Sequence, residues 1–379
     1  EVINRQIGSN PLFQRRFYSS SHAVNRLEFK YKLCDHGGFF VSDLNFNQKG
    51  NLLASAYGKT VSIWDWAARK KRFCIPSGHN NVRKAKWLLL DVENFMVTSG
   101  WDGCIRLLDL EYNSSRQLMN YASSFRPNRM DMANGYWELA VHPDIPYVVF
   151  SALKDSILSI DIREYKPKLL HIKDLRNSIL RSIHCNPSNS NEFCVSGEFP
   201  SVRVYDQRNI SKPLYQLWIT KYNKDHDAFA LVTKYNHDGT EILTLCNCYE
   251  ILLFEKSMWS CEGNSNHTLF ERSQFGSVPV IHEINFFGPK CEFIISASHY
   301  GEIYIFDKKK KTAAQWLIKD FKFVKCHPHI PILATASESN IQIWMPSSNE
   351  DPTESKFKTV CIDKNYLCVF LHFFFCLII

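Results

Sequence analysis

Glycine and proline are scarce, at fifteen residues each among 379, which excludes collagen-like and low-complexity chains. A strong charge of one sign is lacking as well. Forty-five Lys plus Arg against 38 Asp plus Glu leave a net +7, a mild excess that falls well short of a nucleic-acid-binding tail. The 13 cysteines are odd in number and none stand in C-x-x-C spacing. That removes zinc-ribbon and thioredoxin-like readings and points to a reducing, intracellular setting. The longest apolar run, Tyr366 to Ile379, has 14 residues, fewer than the roughly 20 that cross a bilayer as a helix. No membrane partner is expected. The chain opens Glu1-Val2-Ile3-Asn4-Arg5 with neither an initiator Met nor a signal peptide, so the natural N-terminus is expected further upstream.

What is present is a high aromatic load, 14%, which favours β structure. The length suits one large repeat-built domain or two ordinary ones. A repeat is visible. An apolar residue, an aromatic or aliphatic one and usually Asp recur as Ile63-Trp64-Asp65, Leu107-Leu108-Asp109, Ser159-Ile160-Asp161, Val204-Tyr205-Asp206, Leu253-Phe254-Glu255, Ile305-Phe306-Asp307 and Ile343-Trp344-Met345. The intervals between third residues are 44, 52, 45, 49, 52 and 38, bracketing the 40 to 45 of a four-stranded propeller blade with some enlarged loops. Upstream of each copy a strand, a tight turn and a second strand follow one another, as in Phe95 to Leu107 around Asp102-Gly103. Gly78-His79, His142-Pro143 and His327-Pro328 punctuate loops or strand starts.

The expected fold is all-β, a seven-bladed WD-repeat β-propeller. One blade is apolar on both faces and cannot stand alone, so the ring has to close. The chain leaves its seventh repeat at Met345-Pro346 before a fourth strand, whereas Leu27 to Leu33 alternates as a strand ahead of the first repeat. This N-terminal strand is assigned as the outer strand of the seventh blade. Residues 27–347 then form the propeller, 1–26 an N-terminal extension, truncated at its start, and 348–379 a tail outside the ring.

Two repeats place Arg two residues after Asp, at Asp161-Ile162-Arg163 and Asp206-Gln207-Arg208. The triplet leaves a third strand for the turn to the outer one, so both side chains are expected on one rim of adjacent blades. A guanidinium fork suits carboxylates and backbone carbonyls at interfaces. A local Asp–Arg surface pair of little net energy accounts for the same spacing. With Ile160 and Tyr205 in place of Trp, these motifs resemble the W-D-x-R box of substrate receptors for cullin-4 RING ubiquitin ligases. The stretches Leu44 to Gly50, Val61 to Trp66, Val202 to Arg208, Ile284 to Lys290 and His327 to Thr335 are also similar to a receptor associated with the damaged-DNA-binding adaptor and cullin-4. The likeness runs from about residue 27 to 347. It implies that Asp161, Arg163, Asp206 and Arg208 contact the adaptor. The stretch between Asn113 and Asn134 and the apolar end after Tyr366 depart from that pattern.

The runs Arg69-Lys70-Lys71-Arg72 and Lys308 to Lys311 look like nuclear-import or nucleic-acid patches. Neither is interleaved with stacking aromatics, and a solvated hairpin turn explains them better. His327-Pro328-His329 has no Cys or carboxylate at ligand spacing and reads as a turn. No activated nucleophile, catalytic carboxylate pair or phosphate loop appears. On the opposite rim, turns between second and third strands carry Tyr57, Trp101, Phe199, Tyr249 and Tyr300, either a target-binding ring or packing between blades. The resulting expectation is a non-enzymatic receptor without cofactor or metal. It docks on a cullin-4 ligase adaptor of the damaged-DNA-binding protein family and, through it, on cullin-4, and presents a target protein in nucleus and cytoplasm. Direct nucleic-acid binding is not expected. A propeller scaffold or histone and peptide reader without a ligase link is the alternative.

Overall fold

The computed structural model describes residues 17–34, 39–120, 138–152, 156–164, 166–172, 178–219, 228–247, 250–259, 268–270, 281–298, 302–310, 312–317, 321–337, 340–347 and 357–359. Short strands of β-branched and aromatic residues, broken by tight turns, assemble into seven antiparallel sheets. Blade one runs Val41–Phe46, Leu52–Tyr57, Thr60–Asp65 and Lys70–Pro76; blade two Val82–Trp87, Phe95–Gly100, Cys104–Asp109 and Ser114–Asn120. Blade three comprises Leu139–Val141, Val148–Ala152, Ser156–Asp161 and Lys168–His171; blade four Leu180–Cys185, Glu192–Gly197, Ser201–Asp206 and Tyr215–Trp218. Blade five has Ala230–Tyr235, Glu241–Cys246, Ile251–Glu255 and Thr268–Phe270; blade six Ile281–Phe287, Phe293–Ser298, Glu302–Asp307 and Thr312–Leu317. In blade seven Phe321–Cys326, Leu333–Ser337 and Asn340–Pro346 are consecutive, and the fourth strand of the sheet is Leu27–Cys34. That strand pairs antiparallel with Asn340–Pro346, from Leu27 opposite Pro346 to Cys34 opposite Asn340, with a register shift between Phe29 and Tyr31. The fold is an all-β seven-bladed propeller.

Middle strands are buried on both faces, as in Leu52–Tyr57 and Glu241–Cys246, because each blade is sandwiched between two others. Among the described residues the apolar core divides into seven clusters, one at each seam. The seam between blades one and two holds Ile63, Ile75, Val82 and Leu108, and that between seven and one holds Ala334, Ile341, Leu44 and Trp64.

Two parts outside the propeller assignment touch it. Ser21–Asn25 is a short helix with Ser20 as its N-cap, and its Val24 is buried in the seam between blades six and seven. Phe357–Thr359 pairs antiparallel with Ala314–Trp316 as a fifth strand of blade six. The expectation that 348–379 lies wholly outside the propeller is corrected at these three residues: an outer strand leaves backbone donors and acceptors open, and a passing segment fills them. Among the described residues no helix is long and apolar enough to cross a membrane.

Candidate docking site

Each third strand ends at the rim where first strands also end, here called the first rim. Asp161 and Asp206 close the third strands of blades three and four, so their turns are neighbours. The two turns are built alike. Asp161 Oδ1 accepts the backbone N–H of Arg163 at 2.9 Å and its Nε–H at 2.9 Å, while Oδ2 accepts Nη2 at 2.6 Å. Asp206 accepts the corresponding three bonds from Arg208 at 2.9, 3.0 and 2.6 Å. This fork geometry requires an aspartate two residues ahead and a turn folding the arginine back. The guanidinium beside each aspartate holds its carboxyl below the usual range.

Both arginines stay exposed, at 59% for Arg163 and 69% for Arg208. The aspartate engages two of the five N–H donors of each fork, which presents the rest to solvent. Arg163 also lies over the ring of Tyr147, 4.5 Å from its centre, which fixes it further. A bridge from Gln207 to His142 of 3.1 Å ties the turn of blade four to the first-to-second-strand turn of blade three. Arg116 of blade two donates to the Ile162 carbonyl at 2.6 Å. The local Asp–Arg pair and the shared rim thus both exist, and the pair sets the direction of the fork.

The basic runs fold back on their own and the adjacent blades. Arg72 pairs with Asp65 at 2.6 Å, Arg69 lies over Tyr31 and Lys71 over Trp64. Lys308 reaches Glu241 at 2.5 Å, and Asp307 accepts the backbone N–H groups of Lys309 and Lys310. Lys311 lies outside the described residues. Spacing alone does not reveal the Asp65–Arg72 pair, because its members stand seven residues apart. His327 is part of a seam: its ring meets Trp66 and Phe46 edge-on, and its Nδ1 accepts from the backbone of His329 and Ile330.

On the opposite rim the five aromatic candidates separate. Trp101 is 46% exposed, with Arg83 over its ring at 4.7 Å. Tyr57 and Phe199 are buried, at 7% and 6%, and here the target-ring expectation is corrected. Tyr57 bonds Ser62 Oγ at 2.9 Å inside blade one, and Phe199 belongs to the seam of blades three and four with Arg203 over it. Tyr249 and Tyr300 lie outside the described residues. The reading by turns missed Phe39 and Phe40, exposed at 59% and 56%. Phe39 rests against Gly58, whose φ of +49° marks the tight turn of blade one. Their signal in the sequence is an adjacent Phe pair just ahead of a strand.

Residues 27–65 match the WD domain, G-beta repeat. The matched stretch begins with the outer strand paired to Asn340–Pro346 and ends at Asp65, the close of a third strand. The chain is 26% identical over 220 residues to human WD and tetratricopeptide repeats protein 1, covering 55% of this chain and 31% of that protein. It is 22% identical over 358 residues to DNA damage-binding protein 2 of Oryza sativa subsp. japonica, covering 83% of this chain and 56% of that protein. The chain spans about a third of the length of the first of these. The crystal structure of the β-propeller domain of Cps50 (Swd1) from Myceliophteria thermophila superposes with a TM-score of 0.66 at 17% identity. It covers 85% of this chain and all of that one, and the likeness is one of fold.

Proposed function

We propose that the protein is a non-enzymatic substrate receptor of a cullin-4 RING ubiquitin ligase, resembling the associated factor numbered eight. It docks on the ligase adaptor through the first rim and presents a target protein for ubiquitin transfer, in nucleus and cytoplasm. WD propellers in general bind partners, and the fold is in general non-enzymatic. The observation that carries the finer reading is the pair of identically built Asp–Arg forks on adjacent blades, exposed and each held by its own aspartate. The distant likeness to a DNA damage-binding protein fits it. Catalysis would then come from other subunits, with the receptor supplying effective concentration and orientation.

A scaffold or reader without a ligase link is favoured by one feature, that each arginine already satisfies its aspartate. The double change Arg163→Ala with Arg208→Ala separates the two. Truncating an interface arginine costs about 2 kcal/mol or more. Two such losses, if additive, weaken docking by roughly three orders of magnitude at about 1.4 kcal/mol per factor of ten. Co-purification of the adaptor with full-length wild type, and its loss from the double variant at an unchanged melting midpoint, is the expected result. Equal recovery from both proteins leaves the arginines as local pairs and removes the ligase reading.

A further inference from the structure

The central channel carries charge of a kind the docking reading does not use. In six of the seven blades the first strand has a register shift just after its start, for example between Val82 and Lys84 or between Ile281 and Glu283. Beyond the shift each strand alternates regularly, so equivalent residues line up as tiers around the lumen. The tier at the shift holds Asp43, Lys84, Glu138 and Glu283. Two residues further on, toward the first rim, the next tier holds Lys86, Lys234 and Lys325 with His184, and no carboxylate.

The ion pairs run between blades, both within the first tier and between the two tiers. Glu138 stands 3.4 Å from Lys84 and 4.0 Å from Lys86. Glu283 is 3.5 Å from Lys234 and pairs more closely with Lys325. Glu283 also acts on Lys84 from across the ring, so these groups share one lumen. Among the described residues four lysines face three carboxylates, and with Lys234 held at about 7 the balance is positive by one charge at most. Asp43 Oδ2 accepts the backbone N–H of Ala85 at 3.0 Å, while its charge acts on Lys84, Lys86 and Lys325. Lys86 is the least compensated, with its nearest carboxylate at the limit of an ion pair. Burial, together with Lys325, pushes Lys86 down and holds Lys234 at about 7. Yet these side chains are not sealed off. Between 12% and 22% of the surface of each lysine is accessible, so a small solute can reach them.

Uncompensated charge in a low-dielectric lumen is costly, and an opposite charge supplied by a ligand relieves it. The three lysines of the carboxylate-free tier stand on blades two, five and seven, spaced three, two and two blades apart. Lys234 and Lys325 both reach Glu283, and Lys234 also donates to the Ile284 carbonyl at 2.8 Å and to Asn285 Oδ1 at 2.5 Å, which leaves Lys86 and Lys325 as the freer donors; lysine binds tetrahedral anions as a compact point charge. We propose that this tier is a phosphate-binding site, with Lys86 and Lys325 as donors to the oxygens and Lys234 adding positive charge beside them. The phosphate is either the free ion or one carried on a partner's phosphorylated side chain, which reaches the lysines from the first rim without passing the carboxylate tier. The proposal does not depend on the ligase reading.

Titration of the full chain with inorganic phosphate in a calorimeter, with chloride matched for ionic strength, tests it. Saturable binding to wild type is expected. Lys86→Met should weaken it about tenfold or more, the loss of one charged hydrogen bond, and Lys86→Arg should largely retain it. The Met variant should melt no lower than wild type in phosphate-free buffer, because it removes an under-compensated charge. If it fails to fold, Lys86→Gln carries the same comparison. O-phosphoserine amide as a second titrant supports the carried group if it binds more tightly than inorganic phosphate, and the free ion if it binds more weakly. Absence of saturable binding of either titrant, or equal phosphate affinity in wild type and the Lys86→Met variant, overturns the proposal.

Discussion

At the scale of single residues, spacing located the two Asp–Arg turns, because a motif three residues long contains its own geometry. Burial is different, since it depends on which strand of a neighbouring blade closes over a side chain. Tyr57 ends its second strand, whereas Trp101 and Phe199 stand one and two residues past the equivalent strand ends at Gly100 and Gly197, and of the three only Trp101 is at the surface. His79 makes the same point. As a residue beside glycine it reads as a turn marker, whereas it is 2% exposed and bonds Asp102 at 2.9 Å and Thr98 at 3.0 Å, knitting the turn to its blade. Phe199→Ala should therefore cost about 3–5 kcal/mol in chemical denaturation, the usual toll of emptying a buried aromatic site. Trp101→Ala should stay within about 1 kcal/mol, because an exposed ring loses mainly its contact with Arg83. Similar losses at both positions would mean that the two rings share one environment.

At the scale of elements, the alternation of apolar residues and the Asp-Gly turns made most strands readable. The register shift in the inner strands was not, because it is a backbone adjustment to the narrow centre of the ring and leaves no residue signature. The strand Phe357–Thr359 was equally hidden, since three residues are too few to show a period and its partner edge lies some forty residues upstream. Its removal should be mild. Each cross-strand pair contributes about 0.2–1 kcal/mol, so truncation after Ser347 should lower the melting midpoint by only a few degrees and leave the circular-dichroism spectrum unchanged. Loss of cooperative unfolding in the truncated protein would show that the tail does more than cover one blade edge.

At the scale of the whole molecule, seven seams make stability a property of the ring, and the outer strand of blade seven is where chain order and spatial order part. Leu27–Cys34 is the first strand in sequence but pairs with the last. Two of its residues serve two different seams: Leu27, 3% exposed, lies between blades six and seven, and Leu33, 2% exposed, between seven and one. Tyr31 adds a bond to the Trp66 carbonyl of blade one. If this strand closes the ring, removal of residues 1–33 opens two seams at once and exposes the edge of Asn340–Pro346. Burying each leucine contributes about 1.5–3 kcal/mol, so the loss reaches about 5 kcal/mol, a large share of the 5–15 kcal/mol that holds a typical domain together. The deletion protein should melt much lower and self-associate through the bare edge. Leu33→Ala isolates packing from pairing, since it keeps the backbone ladder while emptying one seam, and should cost about 2–5 kcal/mol without self-association. A deletion protein that stays monomeric with the midpoint of wild type would mean that packing between blades one and seven closes the ring without this strand.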